Sequence, residues 1–267
     1  MNPTGNTILI TGGGTGIGRG LAEAFHRDDN QVIIAGRRRS VLEDTVRANP
    51  GMRFTTLHVE NLDDTQRLGA EIKAEFPALN ILINNAGMMQ SENLKSGLED
   101  LAIAERTVAI NLLGTIRVTA TLLPLLLAQP KATIMTVSSG LAFVPIHPNP
   151  SYCATKAAIH SWTQSLRYQL RDTSVEVLEI IPPYVQTELT GRFQAKDPNA
   201  MPLADYISET MALLKNPPPS GEILVERVRS RRFADQNGSY DQFYAEWNDY
   251  AAKRAAERAA NGSSQRT

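Results

Sequence analysis

The chain has a single cysteine, Cys153, among its 267 residues. That excludes an intrachain disulfide and a thiolate zinc cage, and it gives no sign of an oxidising compartment. Histidine is scarce too. His26, His58, His147 and His160 stand at no metal-ligand spacing, so no metal site is expected. Charge of one sign is also missing. The 27 Lys and Arg nearly match the 28 Asp and Glu, leaving a net charge of −1, so general attraction to nucleic acid or to an anionic membrane is not expected. No run is apolar enough to span a bilayer: the greasiest, Leu122 to Ala128, is short and contains Pro124. The N-terminus shows no basic stretch followed by an apolar signal segment. These absences point to a globular, cytoplasmic protein, and 42% hydrophobic residues suffice for a full core.

What is present is alternation. Short apolar runs at Thr7–Thr11, Gln31–Ala35, Phe54–Val59, Ile81–Asn84, Thr133–Ser138 and Val175–Ile181 read as strands. Between them lie helical patterns: Gly16–Arg27, a helix capped by Ser40, one opened by Asp63 or Asp64 and running to Phe76, a long one across Leu98–Leu127, and Tyr152–Arg171. Strands separated by helices predict an α/β fold, a doubly wound Rossmann-type parallel sheet flanked by helices, with ligands at the carboxyl ends of the strands. Residues 1–267 read as one domain with its core at 5–190. Past 190 the alternation stops. Leu203–Leu214 reads as a helix, Pro217-Pro218-Pro219 breaks the chain, and Ser220 caps a charged helix through Arg232. Residues 191–235 thus form substrate-side helices, and 236–267 a C-terminal helix from Gly238 with a disordered Ser-Ser-Gln-Arg-Thr tail.

Thr11-Gly12-Gly13-Gly14-Thr15-Gly16-Ile17-Gly18 joins the first strand to the first helix. Glycines admit a pyrophosphate close to the backbone, and a helix N-terminus offers it free N–H groups, so Gly12, Thr15, Gly16, Ile17 and Gly18 are candidate nucleotide contacts. A flexible glycine turn is the plainer alternative. The second strand ends in Ala35-Gly36-Arg37-Arg38-Arg39. An acid that would bind a ribose hydroxyl of NAD is replaced by Gly36, and guanidinium groups suit phosphate. The inference is NADP(H), with Arg37 on the 2′-phosphate and Arg38 as the next candidate; a solvated basic turn is the alternative. Asn84-Asn85-Ala86-Gly87 ends the fourth strand, where Asn85, Ala86 and Gly87 can pass beside the cofactor ribose. Tyr152 and Lys156 stand one helical turn apart. An ammonium beside a phenol favours the phenolate, and such a tyrosine can exchange a proton with a carbonyl or alcohol oxygen. Alone, the pair reads more readily as two surface neighbours than as a catalytic pair.

Together these segments, with Asn111 and Ser138-Ser139, resemble the short-chain dehydrogenase/reductase family in order and spacing over roughly residues 5 to 190. Ser138 to Pro145 and the Pro182-Pro183 pair look like its DltE-like oxidoreductase branch. The resemblance implies that Tyr152 is the general acid or base and that Lys156 binds the nicotinamide ribose and depresses the Tyr152 pKa. It implies that Ser139, rather than Ser138, stabilises the substrate oxygen, and that Asn111 holds a water behind Lys156. Val185 and Thr187 would contact the nicotinamide. It further implies homodimers or other homo-oligomers, built through the tyrosine helix and the long one before it. Three departures stand out. Pro182-Pro183 replaces a Pro-Gly and stiffens the turn. His58 stands where an adenine-contacting Asp is common. The usual final strand ending in Asp-Gly-Gly is missing, because 216–267 read as helices.

Phe143, Val144, Pro145, Ile146, His147 and Pro148, with Met88 and Met89, are expected to line an apolar substrate space. A hydrophobic ketone, aldehyde or secondary alcohol fits it, or these residues pack the loop. Cys153, Trp162, Leu166 and Leu170 read as packing, and Arg229, Arg231 and Arg232 as a solvated helix face. The expected activity is an NADP(H)-dependent carbonyl reductase or alcohol dehydrogenase. The alternatives are a nucleotide-binding or sensing protein without turnover, or a role in cell-wall D-alanylation, for which no residue argues.

Overall fold

A computed structural model describes residues 2–263; the expected tail beyond Ser263 lies outside the described residues. Seven strands, β1 (Thr7–Thr11), β2 (Gln31–Gly36), β3 (Arg53–Thr56), β4 (Leu79–Asn84), β5 (Ala132–Val137), β6 (Val175–Ile181) and β7 (Glu222–Leu224), form one sheet in the order β3-β2-β1-β4-β5-β6-β7. Every pairing is parallel. The order reverses direction between β1 and β4, and a crevice for ligand opens there at the carboxyl ends of the strands.

Side-chain alternation along these strands feeds two cores. Ile8, Ile10, Val32, Ile34, Ile81 and Ile83 pack on one face with α1 (Gly16–Arg27) and α7 (Leu203–Lys215), where Leu21, Phe25 and Tyr206 are fully buried. Leu9, Ile33, Ala35 and Leu82 pack on the other with α3 (Leu62–Glu75), α5 (Thr115–Leu127) and α6 (Pro150–Gln169). Each such aliphatic side chain contributes about 1.5–3 kcal/mol on burial, so both layers hold the sheet and fix the crevice. Leu166 and Leu170 sit in the second core and Trp162 packs against it, as the sequence pattern indicates.

Several boundaries differ from expectation for local reasons. β3 ends at Thr56 because its partner β2 ends at Gly36. Leu57 and Val59 stay buried without strand pairing. Ser40 lies inside α2 (Arg39–Ala48), which starts after Arg38. Asn61 caps α3, its side-chain oxygen accepting from the Asp64 N–H at 3.1 Å. α6 starts two residues early, at Pro150, where proline's missing N–H costs nothing. The long helix is three pieces: α4 (Leu101–Val108), a π-helical stretch over Ala109–Gly114, and α5. By length and composition this continuous helix could cross a membrane, yet it buries Ile110, Val118, Leu122 and Leu126 in the second core.

The absent final strand is corrected by β7, which pairs parallel with β6 from Glu179↔Glu222 to Ile181↔Leu224. Its three residues carry an inward acid, Glu222, which hid the apolar pattern. Arg232 of α8 (Glu226–Arg232) neutralises that acid through two bonds of 2.7 and 2.8 Å. The expected single helix from Ser220 is therefore a strand followed by α8. The last described element is α9 (Tyr240–Ser263).

Candidate active site

A cavity of about 780 Å³ opens at the carboxyl ends of the strands. Its wall includes every nucleotide-side residue singled out in the sequence, Gly12, Thr15, Gly16, Ile17, Gly18, Arg37, Arg38, Asn85, Ala86, Gly87, Val185 and Thr187. Ser139, Tyr152 and Lys156 line the same cavity.

The nucleotide end is held by one hydroxyl and one amide. Thr11 Oγ1 accepts the N–H groups of Asn85 and Ala86, both at 3.1 Å. The Asn85 side-chain amide donates to the Thr11 carbonyl at 3.0 Å and the Gly12 carbonyl at 3.3 Å. Gly12 has φ of +68°, and a Cβ there would lie 2.8 Å from the Asn85 amide nitrogen. A Cβ on Gly18 would lie 2.3 Å from the same atom. Only glycine fits these two positions, and the bare backbone that results is the cradle a pyrophosphate needs. Arg37 and Arg38 are exposed at the rim and form no ion pair among the described residues. Arg39 instead pairs with Glu43 at 2.8 Å and lies over Phe54. His58 is exposed and its ring lies 3.8 Å from Glu60, which lines the cavity.

At the reaction end Tyr152 is buried on α6, with the Ser139 side chain near enough to favour its phenolate form. Ser139 Oγ also accepts the Leu141 N–H at 3.1 Å. Ser138 lines the cavity too, with its buried hydroxyl unpaired among the described residues. The expected lowering of the Tyr152 pKa is not found. Burial pushes the phenol up, the Ser139 side chain pulls it part of the way back, and the charge of Cys153 adds to the rise. The Lys156 nitrogen lies 5.6 Å from the tyrosine ring centroid and donates to the Val137 carbonyl at 2.7 Å. Burial brings its own pKa down to about 8, against an opposing pull from Glu179.

Asn111 lies in the π-helical stretch, behind the cavity wall. Its side chain accepts the Met88 N–H at 2.8 Å and donates to the Met88 carbonyl at 2.9 Å and to Thr155 Oγ1 at 3.3 Å. It thus clamps the turn after Gly87 to the helix that carries Lys156. Widened helical turns of this kind recur at functional sites. Val185 and Thr187 are fixed by one residue: the Gln194 amide donates to the Val185 carbonyl at 2.9 Å and to Thr187 Oγ1 at 3.1 Å. The Pro182 carbonyl accepts the Gly140 N–H at 2.9 Å, so the double proline is tied to the serine turn.

On the substrate side the structure divides the expected loop. Ile146 and Pro148 reach the cavity with Leu141, Met88 and Met89. Val144 is fully buried, His147 is exposed, and Phe143 packs edge-on to His160 under Arg232. Cys153 is buried beside the Ile146 carbonyl, and burial raises its thiol, as suits a packing role. Behind the cavity His160 meets Glu179 at 2.8 Å. The ligand atoms of His160, Glu179 and Glu222 lie within 4.8 Å of one another, with Arg232 holding both Glu222 oxygens.

The C-terminal residues were the main omission. Asn248 of α9 accepts the His147 N–H at 2.6 Å and donates to the Pro145 carbonyl at 3.2 Å. Trp247, Tyr250 and Ala251 line the cavity. The Arg229–Arg231–Arg232 run is not one solvated face: Arg229 lies 3.7 Å from Glu226, Arg232 binds Glu222, and Arg231 lies 3.7 Å over the Trp247 ring in the cavity wall. The sequence signal was present in the aromatic residues spaced along α9, Tyr240, Phe243, Tyr244, Trp247 and Tyr250.

Comparison with known proteins identifies the family. The short chain dehydrogenase family profile matches residues 6–198. The oxidoreductase DltE of Bacillus subtilis, itself uncharacterised, is 37% identical over 251 residues, 93% of this chain and 98% of that protein. An uncharacterised oxidoreductase of Staphylococcus aureus is 28% identical over 80% of this chain and 93% of its own length. A Burkholderia cenocepacia short chain dehydrogenase in complex with NADP superposes with a TM-score of 0.77 at 22% identity, covering 91% of this chain and 98% of that one. A Burkholderia phymatum member in complex with NAD gives 0.75 at 21%, covering 89% and 96%. By profile, by identity across nearly its whole length and by fold, this chain belongs to the short-chain dehydrogenase/reductase family of oxidoreductases.

Proposed function

We propose that the protein is an NADP(H)-dependent oxidoreductase acting on a carbonyl or secondary alcohol with an apolar body. The observation that carries this reading is the shared cavity: buried Ser139, Tyr152 and Lys156 stand in the same space as a glycine turn that admits no side chain. The residues fit the cofactor. Gly12 to Gly18 would take the pyrophosphate, Asn85 to Gly87 the ribose, and Val185 and Thr187 the nicotinamide side. Arg37 and Arg38, without an ion pair among the described residues and at a rim where Gly36 replaces an acid, favour the 2′-phosphate of NADP(H).

When bound, the nicotinamide supplies or accepts the hydride. Ser139 would hold the substrate oxygen, and Tyr152 would donate its proton to that oxygen as charge develops. A phenol raised by burial stays protonated through the physiological range, which suits the reductive direction. Lys156 would meet the ribose hydroxyls, and Asn111 would act as a positioning residue by clamping the Met88 turn. Exposed Leu101, Val108, Leu113 and Leu127 on the long helix, and Tyr168 on α6, support a homo-oligomer through those helices.

The test is NADPH oxidation across a panel of ketones and aldehydes by wild type and Tyr152→Phe. Turnover that the variant loses by at least about 100-fold supports the reading. Turnover equal in both, or absent throughout the panel, overturns it.

A further inference from the structure

The cavity has a second polar end. Arg231 on α8 lines it, with its Cδ 3.6 Å from where a Gly140 Cβ would stand, next to Ser139. Its guanidinium carbon lies 3.7 Å over the Trp247 ring. No acid pairs with it among the described residues. Asp197, a carboxylate of the cavity wall, accepts from the Tyr184 hydroxyl at 3.2 Å and from Asn199 at 2.9 and 3.1 Å. The Trp247 indole Nε1 is buried and unpaired among the described residues. Leu141 and Ile146 line the same cavity and give it an apolar wall.

An unpaired guanidinium in a partly buried wall is costly unless an anion completes it. Burial, and then repulsion from Arg227, bring the Arg231 pKa down to about 10, the mark of a cation without its counter-charge. The indole face holds the guanidinium plane in place and leaves its N–H edge to form a bidentate pair. A carboxylate matches that fork in charge and geometry.

We propose that Arg231, seated on Trp247, binds a carboxylate of the substrate, so that the protein acts on oxo acids or hydroxy acids whose reacting carbon is separated from the carboxylate by an apolar segment. This rests on the reaction proposed above and narrows its substrate class. The apolar part of the substrate meets Leu141 and Ile146, the reacting oxygen meets Ser139 and Tyr152, and the carboxylate meets Arg231. The loop from Pro145 to His147 is held over this space by Asn248, so α9 sets both the anion end and the roof.

The experiment compares medium-chain oxo acids, with the ketone at successive positions, against the methyl ester of each, using NADPH. Wild type should favour the best acid over its ester by roughly 10- to 100-fold in kcat/KM, carried by KM, the worth of one charged hydrogen-bonded pair. Arg231→Gln should bring that ratio near one while leaving ester turnover and NADPH affinity unchanged, and Arg231→Lys should restore part of it. Equal rates on acids and esters in wild type, or an equal loss on both in Arg231→Gln, overturn the assignment. A second readout separates the anion site from the chemistry. Binding of the same acids, followed by Trp247 fluorescence against a Trp247→Phe control, should weaken in Arg231→Gln even in a Tyr152→Phe background. Equal binding by both proteins overturns the anion site. Binding of acids without turnover by wild type keeps the site and removes the reaction.

Discussion

The Lys156 ammonium donates to the carbonyl of Val137 at 2.7 Å, inside the protein and one residue before the serine pair. Burial lowers this group from an ordinary 10.5 to about 8. Folding then expels a proton from Lys156 between those values, and the unfolded chain binds more protons there. Stability contributed by this group therefore rises with pH from about 8 to 10.5, and the penalty is fully present below 8. Lys156→Met removes that penalty. The variant should gain up to about 2 kcal/mol over wild type at neutral pH, after about 1 kcal/mol is returned for the lost hydrogen bond. The gain should shrink toward pH 10.5. Urea midpoints at neutral and alkaline pH measure it, and a difference that ignores pH removes burial of charge as the cause.

Glu179 is the group that pulls Lys156 back up. In the proposed reaction the charged lysine holds the ribose, so kcat/KM should fall as pH rises through about 8. Glu179→Gln should move that falling limb to lower pH, because the neighbouring negative charge is gone. The same substitution frees His160, so His160→Gln serves as the control. A limb that moves equally in both variants assigns the effect to His160 instead.

Arg37 and Arg38 give the cofactor prediction. With no acid to release among the described residues, either guanidinium can meet a 2′-phosphate. Arg37→Ala should raise the KM for NADPH roughly 10- to 100-fold, the worth of a charged hydrogen bond, and leave that for NADH nearly unchanged. Arg38→Ala should have the smaller effect. Equal efficiency with both cofactors in wild type would sink the arginine argument.

The sheet, the glycine turn and the tyrosine helix were legible because each is written locally. β1 breaks into glycines at Gly12, and helical spacing puts Tyr152 and Lys156 on one face. What stayed hidden depends on partners far apart in the chain. Glu222 reads as surface until Arg232 and Glu179 surround it, so β7 was missed. Arg231 reads as solvated until Trp247 folds over it. Asn111 was found only through the family spacing, since nothing local in Ala109–Gly114 announces a widened helical turn. The direction of the Tyr152 shift was misjudged because spacing shows which charges are near but not how deeply a phenol is buried.

The β7 edge supplies the last prediction. Arg232 and Glu222 are largely shielded, with 16% and 7% of their side chains exposed. Breaking such a pair from one side leaves a buried charge uncompensated, and the two sides are not equivalent. Glu222→Gln leaves Arg232 beside the charge of Glu179, which already favours its cationic form. Arg232→Met leaves the Glu179 and Glu222 carboxylates within 4.8 Å of one another without their cation. Arg232→Met should therefore cost more, about 3–5 kcal/mol against about 1–2 for Glu222→Gln. Urea unfolding of both variants against wild type decides it. Equal costs for the two substitutions would mean that Glu179 lies outside the pair's electrostatics, and that β7 is held by its packing on β6 alone.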